Sequence, residues 1–149
     1  MSFKFNKNAA DDRKFVSKAG TYEAVVQSAK QDYLPPRADL YAKVTFLTSD
    51  GEIAFGDLFA KPDKNGGHER LEQFLAATAT DEEIKGYVAG GELEVDESFL
   101  ATVMSRAVGR RLKIRVTERK YVKKDGSEGV AYPASFFVRL PSGPGGGPF

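Results

Sequence analysis

From Thr21 to Phe59 apolar residues alternate singly with polar ones; from Leu71 to Ala107 they recur every three to four positions; from Leu112 to Val138 single alternation returns. A period of two belongs to a strand with one buried face, and a period near 3.6 to an amphipathic helix. A strand block, a helical block and a second strand block restrict the chain to a mainly β fold with a helical insert.

The punctuation between these segments sharpens the reading. Tyr22, Ala24 and Val26 alternate with Glu23, Val25 and Gln27 in a first strand that runs to Tyr33, where Pro35-Pro36 ends it because proline donates no backbone hydrogen bond. Leu40, Ala42, Val44 and Phe46 face one way in a second strand, with Tyr41, Lys43 and Thr45 opposite. Asp50-Gly51 is a hairpin signal, and Glu52 to Phe59 makes a third strand. Three helices follow: one with Leu71, Phe74 and Leu75 inward, one opened by a Thr80/Glu83 capping box, and one capped by Asp96 and stopped by Gly109. Leu112, Ile114 and Val116 mark a fourth strand, Lys124-Asp125-Gly126-Ser127 a turn, and Val130 to Val138 the return strand.

Three strands, a helical insert and two strands are the element string of a five-stranded OB-fold barrel, β-β-β-α-β-β, which binds oligonucleotides through strands 2 and 3 and the loops L12 and L45. Residues 20–140 form that domain, residues 1–19 a polar N-terminal arm anchored only by Phe3, Phe5 and Phe15, and residues 141–149 a flexible Gly/Pro tail. At 149 residues the chain can bury a core without staples, and it has no cysteine to supply one. With no signal-peptide pattern and no long apolar run, the expected location is the cytoplasm, away from any membrane.

The net charge of +1 conceals strong polarity. Between 110 and 124 lie eight basic residues against Glu118 alone, a net of +7, whereas residues 81 to 97 carry seven acids against Lys85 alone, a net of −6. Local field rather than net charge attracts a polyanion. Lys113, Arg115 and Arg119 share the face opposite Leu112, Ile114 and Val116, and the turn adds Lys120, Lys123 and Lys124. A single-strand binder also needs aromatic faces for bases to stack on. Tyr121 and Tyr132 flank this hairpin, while Tyr33, Arg37, Tyr41, Lys43 and Phe55 fall in or near the first three strands. Tyr132 shares parity with Ala134, Phe136 and Val138 and equally suits a core position, and Phe55 and Phe59 read as core.

Catalytic patterns are scarce. One histidine, His68, and no cysteine exclude Cys-His and multi-histidine sites, and no GxSxG, Walker A or HExxH pattern occurs. Asp63-Lys64-Asn65-Gly66-Gly67 has a fragment of a calcium loop without its glycine position or closing glutamate. The acids at 81–97 sit at helix starts, where caps and the helix dipole account for them. The expectation is a non-enzymatic protein with no cofactor and no metal.

Gly20-Thr21-Tyr22-Glu23-Ala24-Val25-Val26, Leu71-Glu72-Gln73-Phe74-Leu75 and Gly109-Arg110-Arg111-Leu112-Lys113-Ile114-Arg115-Val116 resemble a family of bacteriophage single-stranded-DNA-binding proteins, over residues 20–140. The resemblance implies an OB-fold, sequence-independent binding of single-stranded DNA in phage replication or recombination, and no catalytic residues. It maps the family's basic fourth strand onto Lys113, Arg115 and Arg119. Pro148-Phe149 is similar to the tip of bacterial single-strand-binding tails, which implies recruitment of replication or recombination proteins through Phe149, although glycine and proline precede it here in place of acids. The alternative is a phage structural or assembly protein acting through protein contacts, since polarised charge suits head-to-tail homo-oligomers.

Overall fold

In the computed structural model residues 2, 3, 5, 13–34, 39–62 and 68–145 are described, the side chains of Tyr33 and Leu34 excepted. In chain order the elements are β1 (Lys14–Phe15), β2 (Gly20–Leu34), β3 (Asp39–Thr48), β4 (Glu52–Phe59), α1 (Glu69–Thr78), α2 (Asp81–Ala89), α3 (Glu97–Ala107), β5 (Arg111–Val116), β6 (Arg119–Val122), β7 (Glu128–Ala131) and β8 (Ala134–Val138). The chain is mainly β with a helical insert, as its periodicity predicts.

The five-stranded closed barrel does not form. The sheet has six strands in the order β1-β4-β3-β2-β5-β8, and β6 with β7 makes a separate two-stranded ribbon. Long β2 organises the sheet, pairing with β3 along one edge and with β5 along the other. A register shift between Val26 and Ser28 bends it, as bulges do, and lets the sheet curl. Curling brings β4 and β8 together without joining them: a Cβ added to Gly56 would lie 3.2 Å from the Ala134 carbonyl oxygen and 3.2 Å from the Phe46 ring. Glycine permits this approach. β1, parallel to the start of β4, occupies part of the edge a barrel would use for closure.

Two further expectations are corrected at the C-terminal strands. The return segment is not one strand but β7 and β8, divided at Tyr132-Pro133, where proline interrupts the ladder. Phe136 and Val138 are exposed, and Phe137 is buried. The register with β5 slips by one residue: Ala134 opposes Val116, whereas Phe137 opposes Ile114. Ser135 absorbs the slip, with its hydroxyl 2.8 Å from that of Thr117. Positions 134 and 137 therefore both point inward, and simple parity fails.

The core lies between the concave face of the sheet and α1 and α3. Phe46, Phe74 and Phe137 meet there with ring centroids 5.4 to 6.3 Å apart, surrounded by Val26, Val44, Leu58, Leu100, Met104 and Ile114. Gln73 on α1 accepts a hydrogen bond from the Phe137 amide, covering part of the β8 edge. The expected caps are present: Thr80 and Glu83 satisfy each other's backbone amides, and Asp96 accepts from Phe99. The last turn of α1 has no basic residue of its own. Arg110 instead donates to the Thr78 carbonyl, and Arg139 to those of Ala76 and Ala79, placing cations where the helix leaves orphan carbonyls. Arg110 also pairs with Glu83, and Arg139 with Asp81. At the start of the tail, Gly143 donates to the Leu140 carbonyl and the Arg111 amide lies 3.4 Å from the Pro144 oxygen. No helix among the described residues is long and apolar enough to cross a membrane.

Candidate nucleic-acid interface

The outer faces of β3 and β4 are set by their register. Tyr41 opposes Phe59, Lys43 opposes Asp57 and Thr45 opposes Phe55, so these six side chains share the face away from the core. The rings of Tyr41 and Phe59 stack at 5.6 Å and 28°. Lys43 Nζ sits 5.7 Å from the Phe55 centroid, Phe15 approaches Phe55 at 6.0 Å, and the Arg13 guanidinium lies 5.4 Å from the Phe15 centroid. Cations over ring faces hold the rings in fixed tilt while leaving aromatic surface open. Phe55 is 39% exposed, and so the core assignment of Phe55 and Phe59 is corrected: they line the outer face. The signal was present in the sequence, because Asp57 shares their parity and a mid-strand carboxylate marks a wet face.

The second wall is the β6–β7 ribbon. Arg119 pairs with Ala131 and Tyr121 with Gly129, placing Arg119 and Tyr121 on one ribbon face. Tyr121 lies across Gly129 so closely that a Cβ there would fall 2.4 Å from the ring's Cζ. Only glycine lets the ring lie flat on the ribbon, and Tyr121 remains 44% exposed. At the hairpin tip Asp125 accepts from the Ser127 amide and hydroxyl, which hold its carboxyl below the usual aspartate value.

Between the walls runs a groove of about 920 Å³, floored at the β4–β8 seam by Gly56, Ala134 and Ser135. Phe55, Phe59, Tyr121 and Tyr132 supply its aromatic surface, and Arg70 and Arg119 its positive charge. Asp57 and Glu118 also line it. The groove walls desolvate the Asp57 carboxyl and raise its pKa, against the opposing pull of Lys43, Arg119 and Arg70. Tyr132 is half-buried, packed against the core on one side and lining the groove on the other.

The structure thus brings Arg119, Tyr121 and Tyr132 together, beside the Tyr41 and Lys43 face. Lys120, Lys123 and Lys124 are exposed on the ribbon and its turn, with Lys120 on the face opposite Arg119 and Tyr121. Lys113 and Arg115 do not line the groove. They project from β5 opposite Val138 and Phe136, on another part of the outer surface. Arg119 is therefore not the third member of a β5 stripe: Thr117-Glu118 interrupts the strand, and the ribbon carries Arg119 away. Tyr33 lies in β2 opposite Leu40; its side chain, together with Arg37, Phe149 and the Asp63–Gly67 segment, is outside the described residues. Arg13, Phe15, Phe59 and Arg70 are the contributors that sequence reasoning missed.

His68 is structural: its Nε2 lies 2.6 Å from the Ala60 carbonyl oxygen, tying the end of β4 to α1. Among the described residues no cluster of three His, Cys, Asp or Glu side chains could hold a metal ion. No protein-family model matches the chain, and no curated protein matches it.

Proposed function

We propose that this protein binds single-stranded DNA, independently of sequence, in the groove between the β3–β4 face and the β6–β7 ribbon. The observation that carries the reading is the groove's composition: four accessible aromatic side chains interleaved with arginines, on a scale that suits unpaired bases. A duplex hides its base faces and offers nothing to such rings, whereas a single strand offers bases to stack and phosphates to pair.

The strand arrangement supports an OB-type origin for the groove. Setting aside short β1, the strands β2, β3, β4, β5 and β8 follow the OB order, with the helices between the third and fourth and the β6–β7 ribbon in the L45 position. An OB barrel is a partly open one and presents oligonucleotides to strands 2 and 3 and to L12 and L45. In that frame the β3–β4 face and the ribbon are the two expected contact surfaces. The resemblance to phage single-stranded-DNA-binding proteins is what favours a role in phage replication or recombination.

Fluorescence anisotropy with a labelled dT oligonucleotide tests the proposal. We expect affinity well above that for a duplex of equal length. Neutralising about four to six phosphates would give a log–log salt slope of roughly −3 to −4. Equal affinity for duplex, or a flat salt response, would count against it.

A further inference from the structure

On the helical side of the molecule a second cleft, of about 510 Å³, opens between α1, α2 and the segment leading into α3. Its lining includes Leu71, Leu75, Ile84, Tyr87, Leu93 and Phe99. Val88 at its rim is 77% exposed and Leu93 is 42% exposed, although nothing in the DNA-binding reading needs apolar surface here. α2 itself has no buried residue. Glu92 and Glu94 are exposed and alternate with the cleft residues Leu93 and Val95, and Glu72 lines the wall from α1. The cleft is thus apolar within and acidic at its border, a poor match for nucleic acid and a good one for a basic peptide with hydrophobic anchors.

The chain carries such a peptide. Phe3-Lys4-Phe5-Asn6-Lys7 places two large rings among two lysines and no acid. Phe3 is 86% and Phe5 79% exposed, so in the single chain neither ring is seated. In an extended docked segment, residues two apart fall on one face about 6.6 Å from each other. Both rings can then enter one cleft, with Lys4 on the opposite face and Lys7 two positions beyond Phe5, where each can meet the acids at the border.

We propose that this cleft is the docking site for the Phe3–Lys7 segment of a second copy, linking subunits head to tail. Complementary charge chooses this occupant: the rim is acidic and the segment basic. The contact joins two different surfaces and is therefore heterologous, so it can extend from copy to copy rather than closing on a two-fold axis.

The test is sedimentation velocity on the full-length chain without nucleic acid, so its outcome is separate from that of the DNA-binding reading. The wild type should associate with rising concentration, and more weakly in high salt, which screens the rim charges. Phe3→Ser with Phe5→Ser should weaken self-association at least tenfold, and so should Val88→Glu. An equimolar mixture of these two variants should recover a mixed dimer, because one intact segment and one intact cleft remain. Leu93→Ser repeats the cleft arm of the test, and circular dichroism checks that each variant is folded. A wild type that stays monomeric at several hundred micromolar, as docking within one chain would give, overturns the proposal. Association that survives either variant, or a mixture that fails to recover it, does the same.

Discussion

The acidic run and the basic run use nearly equal charge densities in different ways. In the acidic run, Asp81 pairs with Arg139, Glu83 caps α2 while binding Arg110, and Asp96 caps α3. These acids hold helices in place. In the basic run Arg110 is committed in this way, through Glu83 and the end of α1. Among the described residues, no salt bridge engages Arg115, Arg119, Lys120, Lys123 or Lys124, all of them exposed. Charges consumed inside a fold leave little field for a partner, whereas charges left in water can exchange counterions for phosphate. Asp81, Glu83 and Asp96 build the molecule, Glu92 and Glu94 stay exposed at the helical cleft, and the exposed bases of the other run are available to a polyanion.

The comparison breaks or holds first at the ribbon. Tyr121→Ala with Arg119→Gln should weaken binding to a dT oligonucleotide by roughly tenfold to a hundredfold, since one base–aromatic stack is worth about 1–3 kcal/mol and one phosphate contact is lost besides. Lys113→Gln with Arg115→Gln, outside the groove, should cost at most about threefold. Anisotropy titrations at one salt concentration compare the two pairs directly. If the β5 pair proves the costlier, the strand path crosses β5 and the groove is not the site.

The acidic side should fail in stability rather than in binding. Removing one charge of the half-buried Arg110–Glu83 pair by Glu83→Gln should cost about 1–3 kcal/mol. In a chain of this length that lowers Tm by roughly 2–4 °C per kcal/mol. The hydrogen bond from Arg110, above all, holds the Glu83 carboxyl below its ordinary value of 4.5. A depressed folded-state pKa stabilises the fold above the ordinary value, and that stabilisation disappears as pH falls through the depressed one. Thermal melts between pH 3 and 7 should therefore converge for wild type and Glu83→Gln toward the acid end. DNA affinity at neutral pH should be unchanged wherever both are folded.

How far each half could be read from sequence follows the same division. The caps at Thr80, Glu83 and Asp96 are local, settled within four residues, and they form as predicted. Strand parity is local only while a strand is unbroken. Thr117-Glu118 breaks the run between Arg115 and Arg119, Pro133 divides β7 from β8, and the slip at Ser135 turns Phe137 inward, so each inference carried across those points fails. Closure of the sheet depends on β4 and β8, whose approach at Gly56 and Ala134 spans nearly eighty positions of sequence. The outward stance of Phe55 and Phe59 was within reach, because Asp57 between them is incompatible with a buried face.

Gly129 offers a finer cut within the basic half. The Tyr121 ring occupies the space a Cβ would need, so Gly129→Ala must lift the ring off the ribbon. We expect a loss of roughly threefold to tenfold in dT affinity, part of the stacking term for one base. Because both changes act through one ring, Gly129→Ala should add almost nothing in a Tyr121→Ala background. A double-mutant cycle reads that coupling. Additive losses would mean that Gly129 matters for the ribbon's fold and not for the ring.

The smallest effect concerns Asp57, which with Glu118 is one of two acids lining the groove. Asp57 faces Lys43 across the ladder and feels Arg119 and Arg70, yet desolvation dominates and raises its pKa. A carboxylate about 6 Å from a phosphate in a water-like medium costs roughly 0.7 kcal/mol, or about threefold in affinity. Asp57→Asn removes that repulsion, so it should strengthen dT binding about threefold at neutral pH. In the wild type the same gain should appear on acidification, as pH falls through the raised Asp57 pKa and the carboxyl becomes neutral. Asp57→Asn should lack that component, so its affinity and that of the wild type should approach each other at low pH and separate as pH rises. Titrations of both proteins across the acid range, at constant ionic strength, isolate the Asp57 term. Parallel pH profiles would place the phosphates away from β4 and confine the strand to the ribbon wall.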